Sequence, residues 1–273
     1  MDDQANRVAT LANIVAYDSA AARRYIDGAP HVKHSSLKRL YGKLVVQVYE
    51  FAATHATHPK VLDLGAGEGS ATLPFLEIGA KVTAVDASKR QLNELLNKYE
   101  RFSNRLEVRC GDVNEFLKSK NDSYDIIVAS SFLHHVPDYI GLIREAITLL
   151  TPCGQFFLFQ EPLRYDSLGR FTTAFNTLAY FSWRVFGGDL VRGFKRRVRR
   201  GRGIYLHDSL EDNAEYHVIR NGVDQDAITN LLKEKGFDCN LVHYFSTQSR
   251  IFQLIGASLS IKNTFAMIAR RCM

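Results

Sequence analysis

Gly65, Gly67 and Gly69 alternate directly after the apolar run Val61-Leu62-Asp63-Leu64, and this stretch has the means to hold a ligand. Glycine reaches positive φ at little cost and lets backbone N–H groups approach a bound molecule closely. A buried strand that ends in such a turn, with a helix behind it, is the usual cradle for a nucleotide-like ligand at the carboxyl edge of a parallel sheet. The dinucleotide pattern G-x-G-x-x-G is not met, because Ser70 stands where its third glycine would fall. Asp63 also puts an acid where dinucleotide folds have something apolar.

Two further acids follow at strand-end positions. Asp86 closes the run Val82–Asp86, where an ionised carboxylate can accept from two ribose hydroxyls. Loss of its side chain is expected to weaken ligand binding with little effect on the fold. Asp112, in Cys110-Gly111-Asp112-Val113, can accept from an exocyclic adenine amine while the Val113 N–H donates to a ring nitrogen; it could equally cap the helix behind it. Glycine-rich first turns on such sheets serve dinucleotides or S-adenosylmethionine, and the spacing points to the second. His134 and His135 follow the fourth strand, where an imidazole titrating near neutrality could take a proton from a substrate.

The elements that must position these residues alternate from residue 60 onward. Apolar strands are expected at 60–64, 81–85, 106–109, 125–130 and 155–160, with helices at 70–78, 88–101, 113–119 and 138–150. Thr151-Pro152-Cys153-Gly154 reads as a turn ahead of the fifth strand. Such alternation implies a parallel sheet with helices on both faces. Upstream, Tyr17–Tyr25 is the clearest helical piece. Ser35 or Ser36 is expected to cap a helix that buries Leu37, Leu40, Tyr41, Leu44, Val45 and Val48. A helix at 224–235 and strands at 237–245 and 263–270 complete the sheet.

The chain has 273 residues, enough for one α/β domain with insertions, and its composition is ordinary for a globular protein. The start Met1-Asp2-Asp3-Gln4 leads into no apolar run, and no stretch reaches the length of a membrane span. Cys110, Cys153, Cys239 and Cys272 are scattered, which argues for reduced thiols, a cytoplasmic setting and no metal site. The net charge of +6 is local in origin. Arg192, Lys195, Arg196, Arg197, Arg199, Arg200 and Arg202 supply it, and without them the chain would be close to neutral. That run could be a solvated face, a site for an anionic substrate or a nucleic-acid patch. Nucleic acid is the weakest of these, since no stacking platform or RNA-binding motif accompanies it.

Val61–Gly69, Val82–Asp86, Gly111-Asp112-Val113 and Tyr124–Val136 resemble four successive motifs of class I S-adenosylmethionine-dependent methyltransferases. They are most similar to the small-molecule branch, which includes ubiquinone- and menaquinone-biosynthesis enzymes and natural-product methyltransferases. Leu150–Gln155 resembles the family's L-x-P-G-G turn, with Cys153 replacing its first glycine. The resemblance covers about 37–162 and the last strands. It implies a seven-stranded, doubly wound, Rossmann-like sheet whose last strand is antiparallel, paired as a hairpin with the sixth. It places Gly65, Ala66 and Gly67 under the methionine moiety with Asp63 nearby, Asp86 and Ala87 at the ribose, Asp112 and Val113 at the adenine, and Ala129-Ser130 near the methionine amine.

Three parts are therefore expected: an N-terminal helical lid (1–36), the cofactor-binding domain (37–162 and 223–273) and a helical cap inserted at 163–222. Tyr17, Tyr25 and His34 of the lid segment, which also carries His31 and Lys33, are candidate substrate contacts; an aromatic face near a sulfonium is favourable. Tyr165, Tyr205, Tyr216 and His217 are candidates for the cap's inward face, and Phe171, Phe175, Leu178, Phe181 and Trp183 for its packing. The expected reaction is methyl transfer to oxygen or nitrogen of a small molecule, with His134 or His135 as base. The alternatives are methylation of an RNA or protein through the arginine run, or binding of the cofactor without turnover.

Overall fold

The computed structural model describes residues 2–18, 29–119, 122–186, 199, 213–214 and 216–271. Its strands are β1 (Lys60–Leu64), β2 (Lys81–Asp86), β3 (Leu106–Cys110), β4 (Tyr124–Ser130), β5 (Leu150–Pro162), β6 (Phe237–Tyr244) and β7 (Thr264–Arg271). They form one seven-stranded sheet in the order β3-β2-β1-β4-β5-β7-β6. The first five strands pair in parallel, and β7 runs antiparallel to both β5 and β6. Chain order reverses direction between β1 and β4, so the crevice for a ligand opens above their carboxyl ends.

Period-two alternation loads the two faces of this sheet. Leu62, Leu64, Ile127, Phe156 and Leu158 belong to one buried cluster, while Val61, Ile126, Val128, Phe157 and Phe159 belong to the other. Strands buried on both sides read as continuous apolar runs, which is why they are legible in sequence.

Among the helices, α1 (Asp2–Tyr17), α2 (Pro30–Lys33) and α3 (Ser35–Ala53) precede the sheet. The first ends at Tyr17, where the sequence pattern had placed the start of its clearest helical piece; residues 19–28 lie outside the described residues. The α3 helix buries the expected stripe except Leu40, which is half-buried, but its cap is His34, with no side-chain cap bond, and Ser35 and Ser36 are exposed. Thr151–Gly154 is strand rather than turn, because Leu150 pairs with Tyr124 across a register shift and carries β5 backward through them.

Between β1 and β7 lie α4 (Thr72–Glu77), α5 (Lys89–Lys98), α6 (Val113–Ser119), α7 (Tyr139–Ala146), α8 (Arg170–Phe186), α9 (Tyr216–Arg220), α10 (Gln225–Glu234) and α11 (Arg250–Ser258). The α11 helix interrupts the expected β6–β7 hairpin. Ser249 ahead of Ile251, Leu254, Ile255 and Ser258 is the signal that would have found it. The 163–222 excursion leaves and returns at one point: Leu163 bridges Val223, and the Val223 N–H donates to the Pro162 carbonyl at 2.9 Å.

Candidate functional site

The turn after β1 is held to β2, since Gly65 and Ala66 both donate N–H bonds to the Val85 carbonyl, at 2.9 and 3.0 Å. Gly65 has φ +71°, and a Cβ there would lie 2.1 Å from the Phe132 ring. Gly67 has φ +55° with nothing within 4 Å of its would-be Cβ, so the backbone at Gly67 faces open space.

Asp86 closes this turn from β2. Its Oδ2 accepts from the Gly67 N–H at 2.9 Å and its Oδ1 from the Ser88 N–H at 2.8 Å. Burial raises its pKa, against the two backbone bonds that lower it. Ser88, not Asp86, caps α5, by accepting from the Gln91 N–H. Asp112 does cap α6, accepting from Asn114 N–H at 2.8 Å, while its Oδ2 accepts the Thr10 hydroxyl of α1 at 2.5 Å.

Asp63 lies beneath the turn, fully buried, accepting the Thr72 hydroxyl at 2.6 Å. Its Oδ1 has no hydrogen-bond partner. Burial above all, and then the Asp86 charge, push its pKa up to about 7 against the Thr72 bond.

The histidines sit on a 3₁₀ turn, Leu133–His135, that Glu161 organises. The fully buried Glu161 carboxylate accepts the backbone N–H groups of Phe132, Leu133 and His134 at 2.8, 2.9 and 3.1 Å, and His134 Nδ1 lies 2.8 Å from Oε2. Three backbone N–H groups and one imidazole converge on this one carboxyl group, which fixes the turn. Sequence reasoning missed it; the one signal is an acid ending the apolar run Phe156–Phe159. His135 Nδ1 lies 2.5 Å from the Ala214 carbonyl. A carbonyl only accepts, so Nδ1 carries a proton, and in the neutral ring Nε2 presents its lone pair, 3.3 Å from the Tyr17 hydroxyl.

One cleft joins these groups. Its lining includes Gly65, Ala66, Gly67, Asp86, Ala87, Asp112, Val113 and Ser130 together with Tyr17, His31, Phe132 and His135, and Asn6, Thr10 and Asn13 of α1. No lysine or arginine is among the described lining residues. His31 has a fully buried Nδ1 without a hydrogen-bond partner. Burial first, then the neighbouring His134, lower its pKa to about 4, with Glu161 opposing.

Several expected residues stand elsewhere. Asp63 and Ala129 lie under the cleft floor, and His134 faces Glu161 instead of the cleft. His34 is turned to the Thr247 carbonyl at 2.7 Å. Tyr165 is exposed and donates to the Val218 carbonyl, and Tyr216 lies under the Arg220 guanidinium. His217 Nε2 lies 2.9 Å from the Val136 carbonyl, so it fastens the end of the histidine turn without touching the cleft. Tyr25, Tyr205 and all of the arginine run except Arg199 lie outside the described residues.

A family model described as a methyltransferase domain matches residues 36–242. The ubiquinone biosynthesis O-methyltransferase of Methylocella silvestris is 27% identical over 138 residues, covering 50% of this chain and 48% of that protein. Its namesake from Coxiella burnetii is 33% identical over 97 residues, covering 36% and 41%. The chain thus matches about half, or less, of the length of these curated relatives. The structure of the plantazolicin methyltransferase BpumL in complex with SAH aligns over 99% of this chain and 97% of that one, with a TM-score of 0.57 and 15% identity. Magnesium protoporphyrin IX methyltransferase from Synechocystis PCC 6803 with bound SAM aligns over 97% of both chains, with a TM-score of 0.53 and 16% identity. With more than half its length matched by the family model, the chain belongs to the methyltransferase-domain family.

Proposed function

We propose that this protein transfers a methyl group from S-adenosylmethionine to a hydroxyl oxygen of a small-molecule acceptor. One observation carries the reading: the Gly67–Asp86 cradle and the Nε2 lone pair of His135 open into a single cleft. The cradle suits the cofactor's nucleoside. Asp86 stands at the cleft wall to accept from ribose hydroxyls, Gly67 leaves room for the methionine chain, and Asp112 with the Val113 N–H can meet the adenine edge. The Thr10 hydroxyl shares Asp112, so an adenine amine arriving there competes with α1.

The cofactor supplies an electrophilic methyl group on a sulfonium and leaves as a neutral thioether. The protein's own tasks are positioning, exclusion of water and removal of one proton. His135 Nε2 takes the proton from the acceptor hydroxyl as its oxygen forms the new bond to carbon. Ala214 keeps Nδ1 protonated so that this lone pair is the one presented. Tyr17 holds the acceptor oxygen's place beside it, and α1 roofs the cleft as a lid.

Titration calorimetry with S-adenosylmethionine, S-adenosylhomocysteine and NAD tests the cofactor, and transfer of radiolabelled methyl into a panel of phenols, alcohols and amines tests the acceptor. Binding of the first two in the micromolar range, with labelling of hydroxyl compounds, is expected. Binding of NAD alone would overturn the assignment.

A further inference from the structure

Among the described residues of the cleft lining, Asn13, His31 and Gln91 each have one side-chain polar atom that is buried without a hydrogen-bond partner: Asn13 Oδ1, His31 Nδ1 and Gln91 Oε1. Buried polar groups in folded proteins are almost always paired, and an unpaired one costs stability. Three such atoms around one opening are groups that a bound molecule completes.

The orientation of the two amides is fixed by their other ends. Asn13 Nδ2 donates to the Ala9 carbonyl at 2.9 Å, one turn back along α1, and Gln91 Nε2 donates to the Tyr17 carbonyl at 3.2 Å. A carbonyl only accepts, so neither amide can be reversed, and the unpaired atom in each is the oxygen. Both side chains therefore offer an acceptor that lacks a donor.

Their neighbours say which part of a ligand they meet. Thr10, Asn13 and Tyr17 recur at three- and four-residue steps and share one face of α1. One turn before Asn13, the Thr10 hydroxyl donates to Asp112, the acid assigned to the adenine. One turn after it, the Tyr17 carbonyl holds Gln91. Gln91 lies in the first turn of α5, with its N–H on Ser88 Oγ, and the Ser88 N–H is held by Asp86, the acid assigned to the ribose. Contacts through α1 thus run from one acid to the other, and both unpaired oxygens lie on that path.

We propose that Asn13 Oδ1 and Gln91 Oε1 accept hydrogen bonds from the hydroxyl and amine donors of the cofactor's nucleoside, so that α1 is part of the cofactor site as well as its cover. The inference rests on the S-adenosylmethionine reading above. Binding then pairs two oxygens that the ligand-free fold leaves unpaired, and the penalty they carry is relieved only in the complex.

The test is titration calorimetry of the full chain with S-adenosylhomocysteine and with 5′-methylthioadenosine, which keeps the nucleoside and lacks the amino-acid arm. Asn13→Leu and Gln91→Met replace each amide by an apolar side chain of similar size. Each is expected to weaken both ligands by at least about fivefold and by the same factor. The melting temperature of ligand-free Asn13→Leu should be unchanged or higher, because its unpaired oxygen is gone and the amide bond it gives up lies within its own helix. Wild-type binding with unaltered affinity in Asn13→Leu overturns the inference alone. A loss confined to S-adenosylhomocysteine gives the oxygens to the amino-acid arm and overturns the nucleoside assignment. A wild-type chain that binds neither ligand overturns the cofactor reading, and this inference with it.

Discussion

The Ala214 carbonyl oxygen lies 2.5 Å from Nδ1 of His135, across 79 residues of chain, and so sets which nitrogen of the imidazole faces the cleft. The insertion that interrupts the strand–helix rhythm thereby reaches the centre of the proposed chemistry. His135→Ala is expected to lower kcat by about 100-fold or more while leaving cofactor affinity within a few-fold. Asn213 and Ala214 are both buried, so replacing Ala214 by Pro, whose ring disturbs the local backbone, should reproduce part of the kcat loss. Stopped-flow or steady-state rates on the labelled acceptor decide it; an undiminished kcat in His135→Ala removes the base from this site.

His31 lines the cleft with a buried Nδ1 that lacks a partner, and a buried polar atom in that state costs about 1–3 kcal/mol. An acceptor's polar group would relieve it. His31→Phe should therefore raise the acceptor KM at least tenfold, leave kcat within about threefold, and leave the melting temperature unchanged or higher. A destabilised variant with unaltered KM means that His31 is packing and does not read the acceptor.

Asp86 carries two backbone N–H bonds before any ligand arrives, one to each oxygen. The sequence alone suggested that its loss would leave the fold untouched. The structure revises this: Asp86→Ala should cost about 2 kcal/mol of stability as well as at least tenfold in cofactor affinity. Asp86→Asn keeps one good acceptor and should fall between wild type and alanine on both measures. Urea melts paired with calorimetry test whether the two losses travel together.

Asp63 makes a pH prediction. In the folded protein its carboxyl holds its proton up to about pH 7, while in the unfolded chain it releases it near its ordinary value of 3.8. Between those values the unfolded state binds fewer protons, so stability falls as pH rises, and the full penalty is reached above about pH 7. Asp63→Asn removes the ionisation while its amide oxygen can still accept from Thr72. The variant should match wild type near pH 4 and exceed it by up to about 4 kcal/mol near pH 8. A stability difference that does not change with pH would show that Asp63 is ionised at neutrality in the fold.

The sequence by itself determined the sheet and the glycine turn and strand-end acids that line the cleft. Strands buried on both faces must be continuous apolar runs, and a turn that lets backbone approach a ligand must be glycine. Both constraints are local, so Val61–Gly69 and the acids at Asp86 and Asp112 are legible in order along the chain. Only the tertiary structure decided what surrounds His135. Glu161 becomes the anchor of the histidine turn because β5 lies beside β4 and delivers its end there, a relation between residues 27 to 29 positions apart. Of the two adjacent histidines, one is bound to that carboxylate and the other turned to the cleft by Ala214. His31 and Tyr17 reach His135's neighbourhood from the other end of the sequence. Tyr165, Tyr216 and His217 carry suitable chemistry on a suitable segment, yet their hydrogen bonds and ring contacts hold them to the insertion and its neighbours. Residue type reports what a side chain can do; which partner it finds is set by contacts between distant segments, and no local pattern encodes those.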